Sequence, residues 1–389
     1  MCSTSSRKYP KPYPDFPLTP HPNGQWCKKI RGRIHYFGRW GDWEAALRLY
    51  LDQKDDLHAG RRPHIEGEMT VGMALNHFLS SKKRLEQAGE LTPRSYRDYV
   101  KTCDRLEASL RKDRPLTDIG TADLEKLRSD LYSGQRMLIV SPATAKGDLC
   151  RARMIFLYIN ENRLCEPAIL YRKSLKSPPA REFRRLANER GPRMFKREEI
   201  KAMLGAAHPQ LAAMIYLGIN CGFGNDDCGT LTFDRLDLEN GWHNFWRPKT
   251  HNPRRCPLWP ETIEAIRKAQ ACRPKNVLSE AEGLVFVTRL GGCWFNHDTG
   301  DNAISSEIRK LLKGLGMYRK SVTTFYTLRR TFETVGQMST EQTAVNYIMG
   351  HIAATSDMAA VYRQKTYDSQ LRKVTDHVRG WFNGQINID

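Results

Sequence analysis

The 389-residue sequence predicts a multidomain, mainly α protein: a small strand–strand–helix module, then an all-helical domain, then an α+β domain. Three observations predict it. Apolar residues recur at helical spacing from about 67 to 165, whereas short strand-like and helical segments alternate from Met194 onward. Between these regions lies a stretch rich in Arg, Lys and Pro. The expected boundaries are a flexible N-terminus at 1–20, the small module at 21–62, the helical domain at 67–168, a basic linker at 169–193 and the C-terminal domain at 194–383.

The first twenty residues are Pro-rich and polar, which predicts a mobile or extended segment. Next, Gln25 to Lys29 and Arg31 to Phe37 alternate apolar with basic residues around a tight Arg31-Gly32-Arg33 step, as two short strands do. Trp43, Ala46, Leu47, Tyr50 and Leu51 then recur at helical spacing. This ββα unit carries Lys28, Lys29, Arg31, Arg33 and Arg39. It reads as an arm-type DNA-binding element, since strands can enter the major groove, or as an extension packed on the next domain.

In the helical domain Val71, Leu75, Phe78 and Leu79 share one face, and Tyr96, Tyr99, Val100, Cys103 and Leu106 another. Thr121 is the expected N-cap of a helix through Leu124, Leu127 and Leu131. Ser141-Pro142 opens a last helix with Ala145, Leu149, Ala152, Ile155, Phe156 and Ile159. Its polar face presents Lys146, Arg151 and Arg153, either as a solvated surface or as DNA contacts. In the linker, Arg172 and Lys173 are candidates for neutralising phosphates.

Past Met194, helices are expected at 200–204, 211–217, 304–312, 328–334, 345–349 and 358–361. Short strands are expected at 241–248, around Pro257-Leu258 and at 284–288.

Charge narrows the function class. The formal net charge is +19, and a chain this basic expects a polyanionic partner, of which nucleic acid is the commonest. Ten cysteines are scattered without a C-x-x-C pair, which argues for reduced thiols and against a zinc ribbon, so no metal or cofactor is expected. No acidic cluster at metal-ligand spacing suggests a metal-dependent nuclease. No apolar run approaches a membrane span or a signal peptide, so the expected setting is cytoplasmic and nucleoid-associated.

Five segments carry more specific information. They are Leu217 to Leu231 with the acidic turn Asp234 to Leu238; Arg247-Pro248-Lys249-Thr250 with Arg254-Arg255-Cys256-Pro257-Leu258; Phe325 to Phe332; Ile348-Met349-Gly350-His351; and Ala359 to Arg363. In this order, after a helical domain and a basic linker, they resemble the catalytic domain of the tyrosine recombinases, the phage-integrase family. The resemblance covers about residues 67 to 380.

The resemblance implies a SAM-like core-binding domain, an α+β catalytic domain, and duplex DNA cut and rejoined through a 3′-phosphotyrosine link. Metal-free phosphodiester cleavage needs a nucleophile, a leaving-group acid and cations around the phosphate oxygens. By resemblance Tyr362 is the nucleophile and Arg329 a phosphate clamp whose planar guanidinium can bond two oxygens. Lys249 would protonate the leaving 5′-oxygen, and His351 would bond the phosphate and assist proton transfer. Tyr367 is the fallback nucleophile. The implied assembly is a homotetramer on DNA, from a mobile or chromosomal element. The segment Leu371 to Phe382, apolar at helical spacing, would dock on a neighbouring subunit or cover its own core.

Two positions depart from the family pattern. Its first clamp arginine falls on Gly224, and the usual His or Lys opening the third motif is Tyr326. Arg254, Arg255 and Arg330 are the candidate substitutes, and Asn225 offers only a neutral donor. Asp227 would buttress the turn or pair with the recruited arginine. The alternative functional reading is a DNA-binding protein on a recombinase scaffold that has lost cleavage; a topoisomerase-like nicking-closing enzyme shares the chemistry.

Overall fold

Three antiparallel strands form a sheet in the N-terminal region: β1 (Thr19–His21), β2 (Gln25–Ile30) and β3 (Arg33–Arg39), in the order β1-β2-β3. The structure, a computed structural model, describes residues 9–60, 68–133, 142–248, 250–296, 302–351 and 365–387. The chain divides into two units, Met1–Phe183 and Arg184–Asp389.

The β2–β3 turn places Arg31 at φ 49° and Gly32 at φ 85°. Both central residues of a two-residue hairpin turn need positive φ to match the strand twist, which is why the Arg31-Gly32 step is so tight. Asp42 caps α1 (Trp43–His58), its carboxylate accepting from the Ala45 N–H at 3.1 Å. Phe16, Leu18, Trp26, Ile30, Phe37, Ala46, Tyr50 and Leu57 form the small core. Of the two expectations for the first twenty residues, mobile or extended, the part described from Tyr9 onward is held against this core. Phe16 and Leu18 are buried, Tyr9 stacks on Trp40 with ring centroids 4.8 Å apart, and β1 is a third strand that Pro20 hid from the pattern.

The same unit contains α2 (Val71–Gln87), α3 (Pro93–Leu110), α4 (Thr121–Ser133) and α5 (Pro142–Glu161) around a second core. Thr70 and Thr92 cap α2 and α3 through their hydroxyls, and Pro93 sits in the first turn where its missing N–H costs nothing. Thr121 is the first helical residue rather than the cap; the preceding Gly120 donates its N–H to Asp123 Oδ2 at 3.0 Å. The expected linker is partly structured. Ile169, Tyr171 and Leu175 join the helical core, and residues Ala180–Arg190 form α6.

In the second unit the helices are α7 (Arg197–Ala206), α8 (Pro209–Cys221), α9 (Asn225–Gly229), α10 (Pro260–Ala271), α11 (Ala303–Gly314), α12 (Tyr326–Gln337), α13 (Gln342–Ile348) and α14 (Asp368–Asn383). Strands β4 (Leu236–Asp237), β5 (Trp242–Asn244) and β6 (Arg255–Pro257) form an antiparallel sheet. The expected strand at 284–288 is reduced to isolated bridges, Thr232 with Leu284 and Val287 with Cys293. The expected helix at 358–361 lies outside the described residues.

Helix α8 is the buried axis of this unit. Gly218 lets α12 approach it, because a Cβ there would lie 2.9 Å from Leu328 Cδ1. Helix α14 buries Leu371, Val374, Val378, Trp381 and Phe382 in the core of its own unit, and the Thr375 carbonyl accepts from Trp259 Nε1 at 3.0 Å. The apolar stripe of the C-terminal segment therefore covers its own domain. No described helix is long and apolar enough to cross a membrane.

Candidate active site

Helix α8 stops at Gly222, whose φ of 62° turns the chain into the loop that leads to α9. That stop leaves the Gly222 carbonyl free of helical bonding, and Arg329 of α12 donates Nη1 to it. Its Nη2 donates to the Met349 carbonyl at 2.5 Å. One guanidinium thus joins the first, third and fourth motif segments. Arg329 is 1% exposed, and its Nε finds no partner among the described residues. Two of the five guanidinium donors are engaged by these carbonyls. Burial pulls its pKa below the ordinary arginine value while Asp227, with Oδ2 3.9 Å from Nη1, opposes the shift.

Asp227 bonds the motif loop and a neighbouring arginine. Its Oδ2 accepts from the Gly224 N–H at 2.6 Å, and its Oδ1 pairs with Arg254 Nη2 at 2.7 Å. Arg254 is buried: Nε donates to the Phe245 carbonyl at 2.8 Å, and the guanidinium lies 4.5 Å from the Phe223 ring centroid. It sits beneath the motif loop as a support. Arg255 instead pairs with Asp368 of α14 at 3.2 Å and stacks over Trp242 at 4.1 Å. Asn225 is also engaged elsewhere, donating Nδ2 to Ser305 Oγ at 3.0 Å and Asn302 Oδ1 at 3.2 Å.

Gly224 faces the third motif directly. A Cβ there would lie 3.5 Å from Tyr326 Cδ2. Tyr326 is 41% exposed, and Arg330, one turn along α12, places its guanidinium 5.6 Å from the Tyr326 ring centroid. Arg329 also approaches this ring, with its guanidinium 6.0 Å from the Tyr326 centroid, so both arginines border the first motif.

His351 follows Gly350, which has φ of 60°. Burial first, then Arg329, then Arg247 push its pKa below the ordinary histidine value, against an opposing pull from Glu333. Its imidazole is therefore neutral at pH 7, the form that can accept a proton.

Arg247 was not assigned a role from sequence, although it opens the second motif. Its backbone closes the hairpin loop: N–H to the Asn252 carbonyl at 2.9 Å, and its carbonyl accepts from Thr250 and His251 at 3.1 and 2.8 Å. Its Nη1 donates to the Gly350 carbonyl at 3.2 Å, where Asn252 Nδ2 also donates at 3.4 Å. A Cβ on Gly350 would lie 3.1 Å from Arg247 Cβ, so glycine is needed for this approach. Half-buried Arg247 is a third cation at the site, felt by both Arg329 and His351. The only sequence signal was its place two residues before Lys249. Lys249 and Tyr362 lie outside the described residues; Tyr367 is exposed at the start of α14.

The basic residues of the first unit fall into two groups. Arg31 and Arg33 are exposed, beside the exposed Ile34 and Tyr36 of β3, and Lys28 rests its ammonium over the Tyr50 ring at 4.9 Å. Arg172 and Lys173 are also exposed. Arg151, by contrast, is held by the buried Asp148 at 2.7 Å and by Thr102 Oγ1 at 2.8 Å, so much of its charge is compensated internally. Arg153 donates to Ser177 Oγ at 3.2 Å, and Lys146 lies 5.5 Å from the Phe183 ring centroid.

Among solved structures the chain is similar to a lambda integrase dimer bound to a COC′ core site. The two are 13% identical with a TM-score of 0.57, over 92% of this chain and 98% of that chain. It is similar to a lambda integrase tetramer bound to a Holliday junction at 15% identity and a TM-score of 0.57, over 89% and 98%. It is also similar to the Tn1549 transposon integrase in complex with a circular intermediate DNA, at 16% identity and a TM-score of 0.53, over 76% and 98%. No protein-family model and no curated protein matches the sequence.

Proposed function

Since the chain has the fold of the tyrosine recombinases, we propose that it is a site-specific DNA recombinase that cuts and rejoins duplex DNA through a 3′-phosphotyrosine intermediate on Tyr362. The observation that carries this reading is the clasp around Arg329. Its two Nη groups bond the Gly222 and Met349 carbonyls, which draws three separate motif segments to one cation beside His351.

In this reading Arg329 holds the scissile phosphate, His351 takes part in proton transfer at the phosphate, and Lys249 protonates the leaving 5′-oxygen. Tyr362 attacks phosphorus; the P–O5′ bond breaks as the phosphotyrosine bond forms, and a 5′-hydroxyl reverses the step without an outside energy source. Gly224 cannot supply the first clamp. Arg247 supplies that charge, because it lies within electrostatic reach of both Arg329 and His351 while Arg254 and Arg255 are committed to Asp227 and Asp368. Duplex DNA bound by the basic strand module and the helical domain, a tetramer assembled on that DNA, and a place in the cytoplasm at the nucleoid complete the proposal.

A second reading keeps the fold and drops the cleavage. It is favoured by Gly224 itself, which leaves Tyr326 where the family carries charge. Trapping separates the two. The full chain is incubated with nicked suicide duplexes drawn from DNA flanking its own gene, beside Tyr362→Phe. A covalent adduct on a denaturing gel, absent from Tyr362→Phe, supports the recombinase. Salt-sensitive binding with no adduct on any substrate establishes the non-cleaving binder.

A further inference from the structure

Beneath the motif loop, three residues of different elements converge. Cys221 is the last residue of α8, and His243 of β5 is the direct cross-strand partner of Cys256 of β6. All three are 0% exposed, and their two sulfurs and an imidazole nitrogen lie within 4.8 Å of one another. Neither ring nitrogen of His243 has a hydrogen-bond partner among the described residues. An imidazole buried with both nitrogens unsatisfied costs free energy that something must offset.

We infer that Cys221, His243 and Cys256 form a buried site for one thiophilic metal ion of the zinc class. Two thiolates and an imidazole are the soft and borderline donors such an ion selects. Ligand atoms around a tetrahedral zinc sit about 3.5–3.8 Å apart, given Zn–S of about 2.3 Å and Zn–N of about 2.0–2.1 Å, so a contraction of about 1 Å closes the triangle. Charge also fits a dry core: a divalent cation with two thiolates and a neutral imidazole sums to zero. The adjacent Arg254–Asp227 pair neutralises itself and makes no demand on the site.

The surroundings hold the ligands in place without the ion. Asn220, next to Cys221, donates to the Pro257 carbonyl at 3.1 Å and accepts from the Trp259 N–H and the Thr262 hydroxyl, both at 2.9 Å. The end of α8 is thus stitched to the residues that follow Cys256. The remaining position of a tetrahedral ion falls to a small oxygen donor; the Asn220 carbonyl already receives the Cys256 thiol at 3.7 Å. The site would pin β5, β6 and the end of α8 one residue before Gly222, whose carbonyl receives Arg329. No C-x-x-C or paired-histidine spacing marks it, because each ligand comes from a separate element.

The test uses the full chain, purified without a polyhistidine tag and stripped with chelator under reducing conditions. It is titrated with Co2+, then Zn2+. The expected result is about one Co2+ per chain with a thiolate-to-cobalt charge-transfer band that Zn2+ abolishes. The band is lost in Cys256→Ser and His243→Gln and kept in Cys228→Ser, a buried thiol outside the triad. A readout that needs no variant is native mass spectrometry of the stripped full chain, which should gain the mass of one Zn2+ and no more. Absence of the band from the unsubstituted chain, its survival in Cys256→Ser, or a Cys221–Cys256 disulfide in the protein as isolated overturns the proposal.

Discussion

Gly224 and Tyr326 face each other across the site: a Cβ on residue 224 would lie 3.5 Å from Tyr326 Cδ2, with Asp227 Oδ2 at 3.4 Å. These are ordinary contacts, and the Gly224 φ of −98° suits any residue. An arginine can therefore be placed there. With Arg247 covering the missing charge, Arg247→Ala lowers the single-turnover cleavage rate by about 10²–10³, the usual cost of one lost donor. Adding Gly224→Arg to Arg247→Ala restores most of it, whereas Gly224→Arg alone changes the rate less than about tenfold. A rate unmoved by Arg247→Ala would remove that residue from the mechanism.

His351 titrates below the ordinary histidine value because of burial, Arg329 and Arg247, in that order. If its neutral form takes the proton, cleavage falls only once pH drops beneath that ordinary value. Arg247→Gln deletes a positive neighbour, which raises the His351 pKa and moves the acid limb of the rate profile to higher pH. Single-turnover rates between about pH 5 and 8 measure the limb directly. A loss of packing alone would lower the rate without moving it.

Asp227→Asn leaves Arg254, with a fully buried side chain, facing a neutral amide. Removing one partner of a buried pair typically costs about 3–5 kcal/mol. Urea unfolding followed by the fluorescence of Trp242 and Trp259 should show the midpoint of the C-terminal unit falling accordingly. The double variant Asp227→Asn, Arg254→Met should recover part of the loss, because it removes the stranded charge.

The exposed cations of the N-terminal module are expected to contact phosphates. Each lost contact reduces the slope of log K against log salt by about 0.9. Arg31→Ala and Arg33→Ala should each flatten the slope measured on duplex DNA. Arg151→Ala should change it less, because Arg151 is already engaged by Asp148 and Thr102. Equal slopes for all three would place the DNA elsewhere.

Much of this was legible because it is periodic or local. Leu371, Val374 and Val378 recur at helical spacing and pack as that spacing requires. The Arg31-Gly32 turn and the β5–β6 pairing follow from turn chemistry and strand alternation. Arg329 and His351 are marked by their motif neighbours. What stayed hidden depends on chain segments far apart. Arg247 acts through the Gly350 carbonyl across 103 residues, a contact with no side-chain partner to suggest it. Phe16 and Leu18 sit among prolines that read as loop, yet Trp26 and Trp43 give them a core to enter. The convergence of Cys221, His243 and Cys256 follows from a helix end meeting two strands, which no linear spacing encodes.

Among the described residues, the strand order of the N-terminal sheet leaves β3 on its margin, paired only with β2. An open margin that also exposes Ile34 and Tyr36 invites pairing with the same strand of another molecule. Arg33 and Arg39 at its two ends make such pairing repulsive, since two copies would bring like charges together. The cations proposed to meet phosphate thus also act as gatekeepers against self-association, and neutralising them should trade DNA affinity for aggregation.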